Sequence, residues 1–190
     1  MAKVADNIIV KGIRGMLGDM LVFRQLNGQT IVSAKPKKPA TRTAKQQEGQ
    51  ERFRLAVAYA KASMGNPQLK ELYASRISAR CTSAHQVAIA DYLNAPRIDA
   101  IDASLYKGLA GGTITVSASD NFMVASVQVA IHTADGEVIE SGSAAKGTDD
   151  RWIYATIQQH HGYASCQITA TASDLPGNTA EKTIHLQTVD

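Results

Sequence analysis

The chain has 190 residues, 44% of them hydrophobic and 19% charged, with a formal net charge of +3. That is enough for one large domain or two small ones, each with a core, and it excludes a globally disordered chain. No run approaches the ~18 consecutive apolar residues of a membrane span. Lys, Asp, Arg or Gly break every apolar run in the first twenty residues, so no secretory signal is expected either.

Charge divides the chain. Residues 1–54 carry eleven Lys/Arg against four Asp/Glu, a net +7, whereas residues 111–190 carry three against nine, a net −6. A basic front and an acidic back predict two units with different tasks, and opposite fields would steer one copy onto another head to tail.

In the first segment, Gly12, Gly15 and Gly18 punctuate the approach to a hairpin. Met20–Gln25 and Thr30–Lys35 are rich in strand formers and flank Asn27-Gly28, the pair that best accepts the positive φ of a two-residue turn. Pro36 and Pro39 end the second strand, because proline cannot donate to a ladder. The glycines do not form a phosphate loop: no Gly-Lys-Ser/Thr ending and no helix follows them.

From about residue 40 to 95 the pattern is helical. Thr43 and Gln46 have capping-box spacing, and Phe53, Ala56, Val57, Ala60 and Met64 fall on one helical stripe. Gly65-Asn66 ends that helix. Asn66 caps the next, with Pro67 at its first position, and Leu69, Leu72 and Tyr73 form its apolar face. A third helix starts at Ser83, carries Val87, Ala88 and Tyr92, and stops before Pro96.

The rest alternates with period two. Strands are predicted over 113–118, 125–133, 137–141, 151–158, 164–172 and 179–187, separated by Asp-, Asn-, Gly- and Pro-rich turns, with 97–106 as a strand or a linker. Short strands at this spacing predict a β-sandwich with Trp152 packed between the sheets. Cys166 alternates with Ile168, Ala170 and Ala172 and is expected on a buried strand face. With Cys81 it makes only two cysteines, 85 positions apart, and no disulfide is expected.

No catalytic constellation emerges. There is no G-x-S-x-G elbow and no CxxC, HxH or HExxH spacing, and His160-His161 would point to opposite faces of a strand. Asp120, Asn121, Asp149, Asp150, Asp174 and Asn178 put oxygen ligands of the kind calcium takes into turns. Asp and Asn also build such turns for backbone reasons alone, and no cofactor or metal is expected. Lys35, Lys37, Lys38, Arg42 and Lys45 form a basic, proline-stiffened arm that could meet phosphates. It lacks interleaved aromatics and any DNA-binding motif spacing, so a nucleic-acid partner is not favoured.

The segments Thr113–Asn121, Val124–Val129 and Ile168–Asp174 with Pro176-Gly177-Asn178 resemble bacterial immunoglobulin-like domains, including the late-strand ending A-x-D-x-x-G-N. The antibody pattern of a cysteine pair flanking a Trp is absent. Leu17-Gly18, Val22-Phe23-Arg24, Asn27-Gly28, Val32, Lys35-Pro36, Thr43, Gln46, Arg52 and Phe53 resemble small uncharacterised phage- or prophage-type proteins of Bacteroidetes. That resemblance implies a virion or self-assembling role.

The expected architecture is therefore α+β and multidomain: a glycine-punctuated arm and hairpin over 1–40, a helical segment over 41–96, and an all-β immunoglobulin-like sandwich over 97–190. The expected function is non-enzymatic assembly, with Phe23, Arg24, Lys35, Lys37, Lys38 and Arg42 as contact residues for assembly or anions. The partners would be other copies or other virion proteins, with no membrane. Synthesis in the cytoplasm followed by incorporation into a virion is the expected location. A nucleic-acid-associated protein using residues 35–45, or a surface- or carbohydrate-binding module using the sandwich loops, are the alternatives.

Overall fold

The structure is a computed structural model and describes residues 2–4, 10, 12–26, 28–36, 41–160 and 162–186. The fold is mostly β with three helices, and the chain divides into two compact units, Met1–Gln47 and Glu48–Asp190.

The first unit is a four-stranded antiparallel sheet. Its strands are β1 (Ala2–Val4), β2 (Gly15–Leu17), β3 (Leu21–Leu26) and β4 (Gln29–Ala34), in the order β1-β4-β3-β2. The hairpin expected from Asn27-Gly28 is the middle of this sheet. Leu26 pairs with Gln29 around the turn, and Gly28 takes φ +77°, which a β-carbon would resist. Residue 27 and the 37–40 stretch containing Pro39 lie outside the described residues. Two three-residue strands add to the hairpin, β2 through the Gly18–Met20 turn and β1 against the outer side of β4. They are too short for periodicity to reveal.

The second unit combines helices and two further sheets. Helix α1 (Ala44–Gly65) begins at the unit boundary with the reciprocal cap read from the sequence. Gln46 N–H donates to Thr43 Oγ1 at 3.3 Å, and Thr43 N–H donates to Gln46 Oε1 at 3.1 Å. Helix α2 (Pro67–Ala74) is capped by Asn66, whose side chain accepts from Gln68 and Leu69 N–H; α3 (Ala84–Leu93) is capped by Ser83. Ala56, Ala60 and Ser63 form the buried face of α1, but Phe53 is 52% exposed, against expectation. The reason is length. At 1.5 Å per residue α1 spans roughly 33 Å and its partners roughly 12 and 15 Å, so its first turns outrun them.

Strands β5 (Arg97–Leu105), β6 (Thr113–Ser119), β7 (Val124–His132), β8 (Val138–Ser143), β9 (Ala145–Lys146), β10 (Arg151–Ala155), β11 (Gln167–Asp174) and β12 (Thr179–His185) form two antiparallel sheets. One runs β5-β6-β10-β9 and the other β12-β11-β7-β8. Ile114, Val116, Ala118, Trp152 and Tyr154 from the first meet Val127, Val129, Ile131, Ile168, Ala170 and Ala172 from the second in one core. Residues 97–105 are thus a strand and not a linker. A register shift opposite Ser173/Asp174 inserts an extra residue in β7, which is why Val124 and Val127 are both buried although three positions apart.

Two predicted strands are shorter than expected. Residues 163–165 form a 3-10 turn, so β11 begins at Gln167; Cys166 is buried just ahead of it, and Ala164 is not in the strand. Strand β10 stops at Ala155 because Thr156 turns back, its N–H donating to Gly112 O and its hydroxyl to Leu109 O. Beyond it, Ile157 and Gln158 N–H both donate to the buried Glu140 carboxylate.

A second, smaller core joins helices and sheets within this unit. Ala60, Tyr73, Val87 and Ala88 pack around Phe122 from the β6–β7 turn, with Leu175 from the β11–β12 turn at its margin.

Candidate functional site

Of the six predicted contact residues, Phe23 and Arg24 lie on the small N-terminal sheet, and β alternation separates them. Phe23 and Arg24 are consecutive in β3 and face opposite sides. The register puts Leu17, Leu21, Phe23, Gln25, Thr30, Val32 and Ala34 on one face and Met16, Val22, Arg24, Leu26, Ile31 and Ser33 on the other. Both faces are therefore substantially apolar.

The described residues cover the centre of the Phe23 face. Gln25 Nε2 donates to Thr30 Oγ1 at 2.7 Å and to Ile13 O at 3.1 Å, and Gly12 N–H donates to Thr30 Oγ1. These bonds draw the glycine-rich lead-in onto the sheet and bury Phe23 and Thr30. Phe23 is the only buried apolar side chain among the described residues of this unit. Beside it Leu17 is 65% exposed; on the opposite face Met16 is 58% exposed and Leu26 59%, and Met20 in the β2–β3 turn is 75% exposed. The same unit carries nine Lys/Arg against two Asp/Glu, net +7, while Glu48–Asp190 carries eleven against fifteen, net −4.

Of the predicted basic contact residues beyond β4, Lys35 and Arg42 fall among the described residues. Lys35 is held by Asp19 at 2.7 Å, an exposed pair that closes the β2–β3 turn side of β4. Arg42 is exposed ahead of α1, and Lys37 and Lys38 lie outside the described residues.

The predicted oxygen-rich turns take two roles. Asp120, Asn121 and Asp150 line a cleft of about 170 Å³ together with Arg76 and Lys146. Its floor is Phe122, Val124 and Trp152, and the Lys146 ammonium stands 5.8 Å over the Trp152 ring. Asp150 and its neighbour Asp149 both have positive φ, 56° and 54°, a conformation Asp tolerates better than most residues. Asp174 and Asn178 instead tie the β11–β12 turn: Asp174 accepts from Gly177 N–H, Asn178 N–H and the Asn178 amide. Among the described residues no group of three His, Cys, Asp or Glu is arranged to hold a metal ion, and His161 lies outside them. No helix of the described residues is long and apolar enough to cross a membrane.

One buried polar residue escaped the sequence reading. Asp91 is fully buried on α3 and accepts the Tyr73 phenol hydrogen on Oδ2 at 2.6 Å, while its Oδ1 has no donor. Burial pushes its carboxyl up to about 7, and the charges of Asp120 and Asp174 add to the shift that the Tyr73 bond opposes. Its spacing carried a signal: Asp91 follows Val87 by four and Ala88 by three, so it continues the stripe that is buried.

Compared with known proteins, the chain matches no protein-family model and no curated protein. Among solved structures, a crystal structure of an engineered protein is similar at 22% identity with a TM-score of 0.35. The similarity covers 52% of this chain and 20% of that one, so this chain spans about a fifth of the engineered protein's length.

Proposed function

We propose that this is a non-enzymatic structural protein that assembles with copies of itself through the Met1–Gln47 sheet, as a component of a phage- or prophage-type virion. One observation carries the reading: the sheet exposes Met16, Leu17, Met20 and Leu26, and among its described residues Phe23 is the one buried apolar side chain. A sheet of this size with both faces apolar is marginal alone and gains stability by covering them. A second copy is the occupant that charge favours, since the +7 of this unit meets the −4 of the other.

The second unit is read as an immunoglobulin-like sandwich. Strand order supports this: lettered A to G, with β8 as C′, the sheets run A-B-E-D and G-F-C-C′. The virion assignment rests on the resemblance of the N-terminal residues to phage-type proteins.

The test is light scattering coupled to size exclusion. Met16→Glu with Leu17→Glu puts a charge on each face at exposed positions, so the sheet itself should survive. The unmodified chain should be oligomeric and the double variant monomeric, with unchanged circular dichroism. A monomeric parent at high micromolar concentration, or an oligomer indifferent to both changes, overturns the proposal.

A second reading, a carbohydrate-binding module, is favoured by the cleft. Among the described residues Arg76 and Lys146 have no ion-pair partner. With Asp120 and Asp150 they leave the cleft neutral, and Arg76, Lys146 and Asp150 offer donors and acceptors there, which suits a polyhydroxylated ligand. Glycan-array binding lost in Asp150→Ala would support this reading, and an empty array would remove it.

A further inference from the structure

Three carboxyl groups converge where the helices meet the sheets. Asp91 comes from α3, Asp120 from the β6–β7 turn and Asp174 from the end of β11. Two contacts bring those turns to the helices. The Phe122 ring lies 4.6 Å from that of Tyr73, and the Asn178 amide donates to Tyr92 O at 3.2 Å. Tyr73 from α2 and, behind it, Tyr59 from α1 are the remaining titratable groups facing Asp91; their hydroxyls are 2.8 Å apart. Among the described residues no Lys, Arg or His forms an ion pair with any of the three carboxyls.

The donors are unevenly shared. Asp174 receives three N–H hydrogens. Asp120 Oδ2 receives two, from Phe122 and Met123. Asp91 receives one, the Tyr73 phenol, so Tyr59 must in turn donate to Tyr73. Asp91 Oδ1 and Asp120 Oδ1 are buried with no donor at all. A buried carboxylate oxygen without a donor is strongly disfavoured, and here no cation compensates it.

We propose that Asp91, Asp120 and Asp174 share a proton, lodged on Asp91, and that this proton makes the docking of α1–α3 onto the sheets pH-dependent. Asp120 and Asp174 already accept two and three N–H hydrogens and Asp91 only the Tyr73 phenol, so Asp91 is the group that takes the hydrogen. When the proton leaves, a third negative charge is buried at the seam and the helices separate more readily from Phe122 and Leu175.

The direction follows from linkage. The Asp91 carboxyl titrates near 7 in the folded chain, against about 3.9 for an unperturbed aspartate. The folded state therefore holds the extra proton between those values. The contribution is complete at acid pH and is lost as pH rises through the folded-state titration. One proton changes the folded-to-unfolded ratio by at most about tenfold per pH unit.

The experiment compares urea unfolding of the full chain with that of Asp91→Asn between pH 5 and 8.5. Asn keeps an acceptor for Tyr73 and carries its own donors. Relative to the variant, the parent should lose up to about tenfold per pH unit from pH 5 to about 7, and the difference should level off above that. Carbon-13 NMR of the aspartate carboxyls in the parent gives a readout that does not depend on the variant folding: one carboxyl should titrate near neutrality. A constant difference between the two proteins, or carboxyls that all titrate below pH 5, overturns the proposal. Stabilisation by calcium in the parent that Asp91→Asn abolishes also overturns it, because a cation and not a proton would then fill the cluster.

Discussion

Tyr73 and Asp91 are both fully buried, and among the described residues the phenol of one supplies the one hydrogen bond made by the carboxyl of the other. The pair lies in the small core that joins helices to sheets, eighteen residues apart in sequence. Burial and the adjacent carboxyl push the Tyr73 phenol well above its ordinary range, so it stays a donor at every pH where the chain is folded.

Tyr73→Phe removes that hydrogen and leaves both Asp91 oxygens without a donor. It should cost about 1–3 kcal/mol. The cost should grow toward alkaline pH, where Asp91 ionises, because the lost bond is the one that favours its charged form. Urea unfolding of parent and variant at pH 5.5 and 8 measures both effects; equal losses at the two values would contradict the sign.

Gly108 and Gly111 both have positive φ, 71° and 82°, but differ in the space around them. A Cβ at Gly108 would overlap the His160 carbonyl oxygen and press on the Tyr163 side chain, whereas nothing lies near one at Gly111. Gly111→Ala should cost only the conformational penalty, about 1–2 kcal/mol, and Gly108→Ala distinctly more, about 3 kcal/mol or above. Thermal melts of the two single variants rank them, and the reverse order would refute the packing argument.

Replacing Lys35, Lys37, Lys38 and Arg42 together by Gln separates assembly from nucleic-acid binding. Surface ion pairs contribute about 0–1 kcal/mol each, so the oligomer should dissociate somewhat more readily, most visibly at low salt. The parent should bind duplex DNA weakly. Tight DNA binding at physiological salt, with a log–log salt slope that drops by about 0.9 per lost contact, would move the arm's role to phosphate recognition.

A fragment spanning 48–190 should unfold in one cooperative transition, since it retains both cores. A fragment spanning 108–190 lacks β5, which lies beside β6, and strips the helices from Phe122. It should melt at lower temperature and bind a hydrophobic dye. Equal melting temperatures would mean that the helices and β5 add nothing to the sheets.

Much of this architecture was legible because its signals are local. Thr43 with Gln46, Asn66 with Pro67, and Ser83 each satisfy the first turn of their own helix, so the caps can be read within four residues. Asn27-Gly28 and the alternation of Ile114, Val116 and Ala118 are local in the same sense. What was missed depends on contacts between distant segments. Strands β1 and β2 exist through pairing with β4 and β3, the extra residue in β7 is set by Asp174, and Phe53 is exposed because its helix outlasts its neighbours. The site divides similarly. Alternation alone places Phe23 and Arg24 on opposite faces, whereas the cleft draws Arg76, Asp120 and Lys146 from three separate segments. Asp91 escaped because a search for apolar stripes passes over a carboxylate.

The Asn178–Tyr92 hydrogen bond spans 86 residues of chain, and this separation bears on synthesis. At about 5–20 residues per second, roughly 4–17 s pass between translation of Tyr92 and of Asn178. Throughout that interval the nascent helices lack Leu175, and at first Phe122 as well, so Tyr73, Val87 and Ala88 face an unfinished pocket. The helical segment is made early and completed late. A ribosome stalled ahead of the final hairpin would therefore present an exposed apolar surface, the kind of surface that holdase chaperones bind.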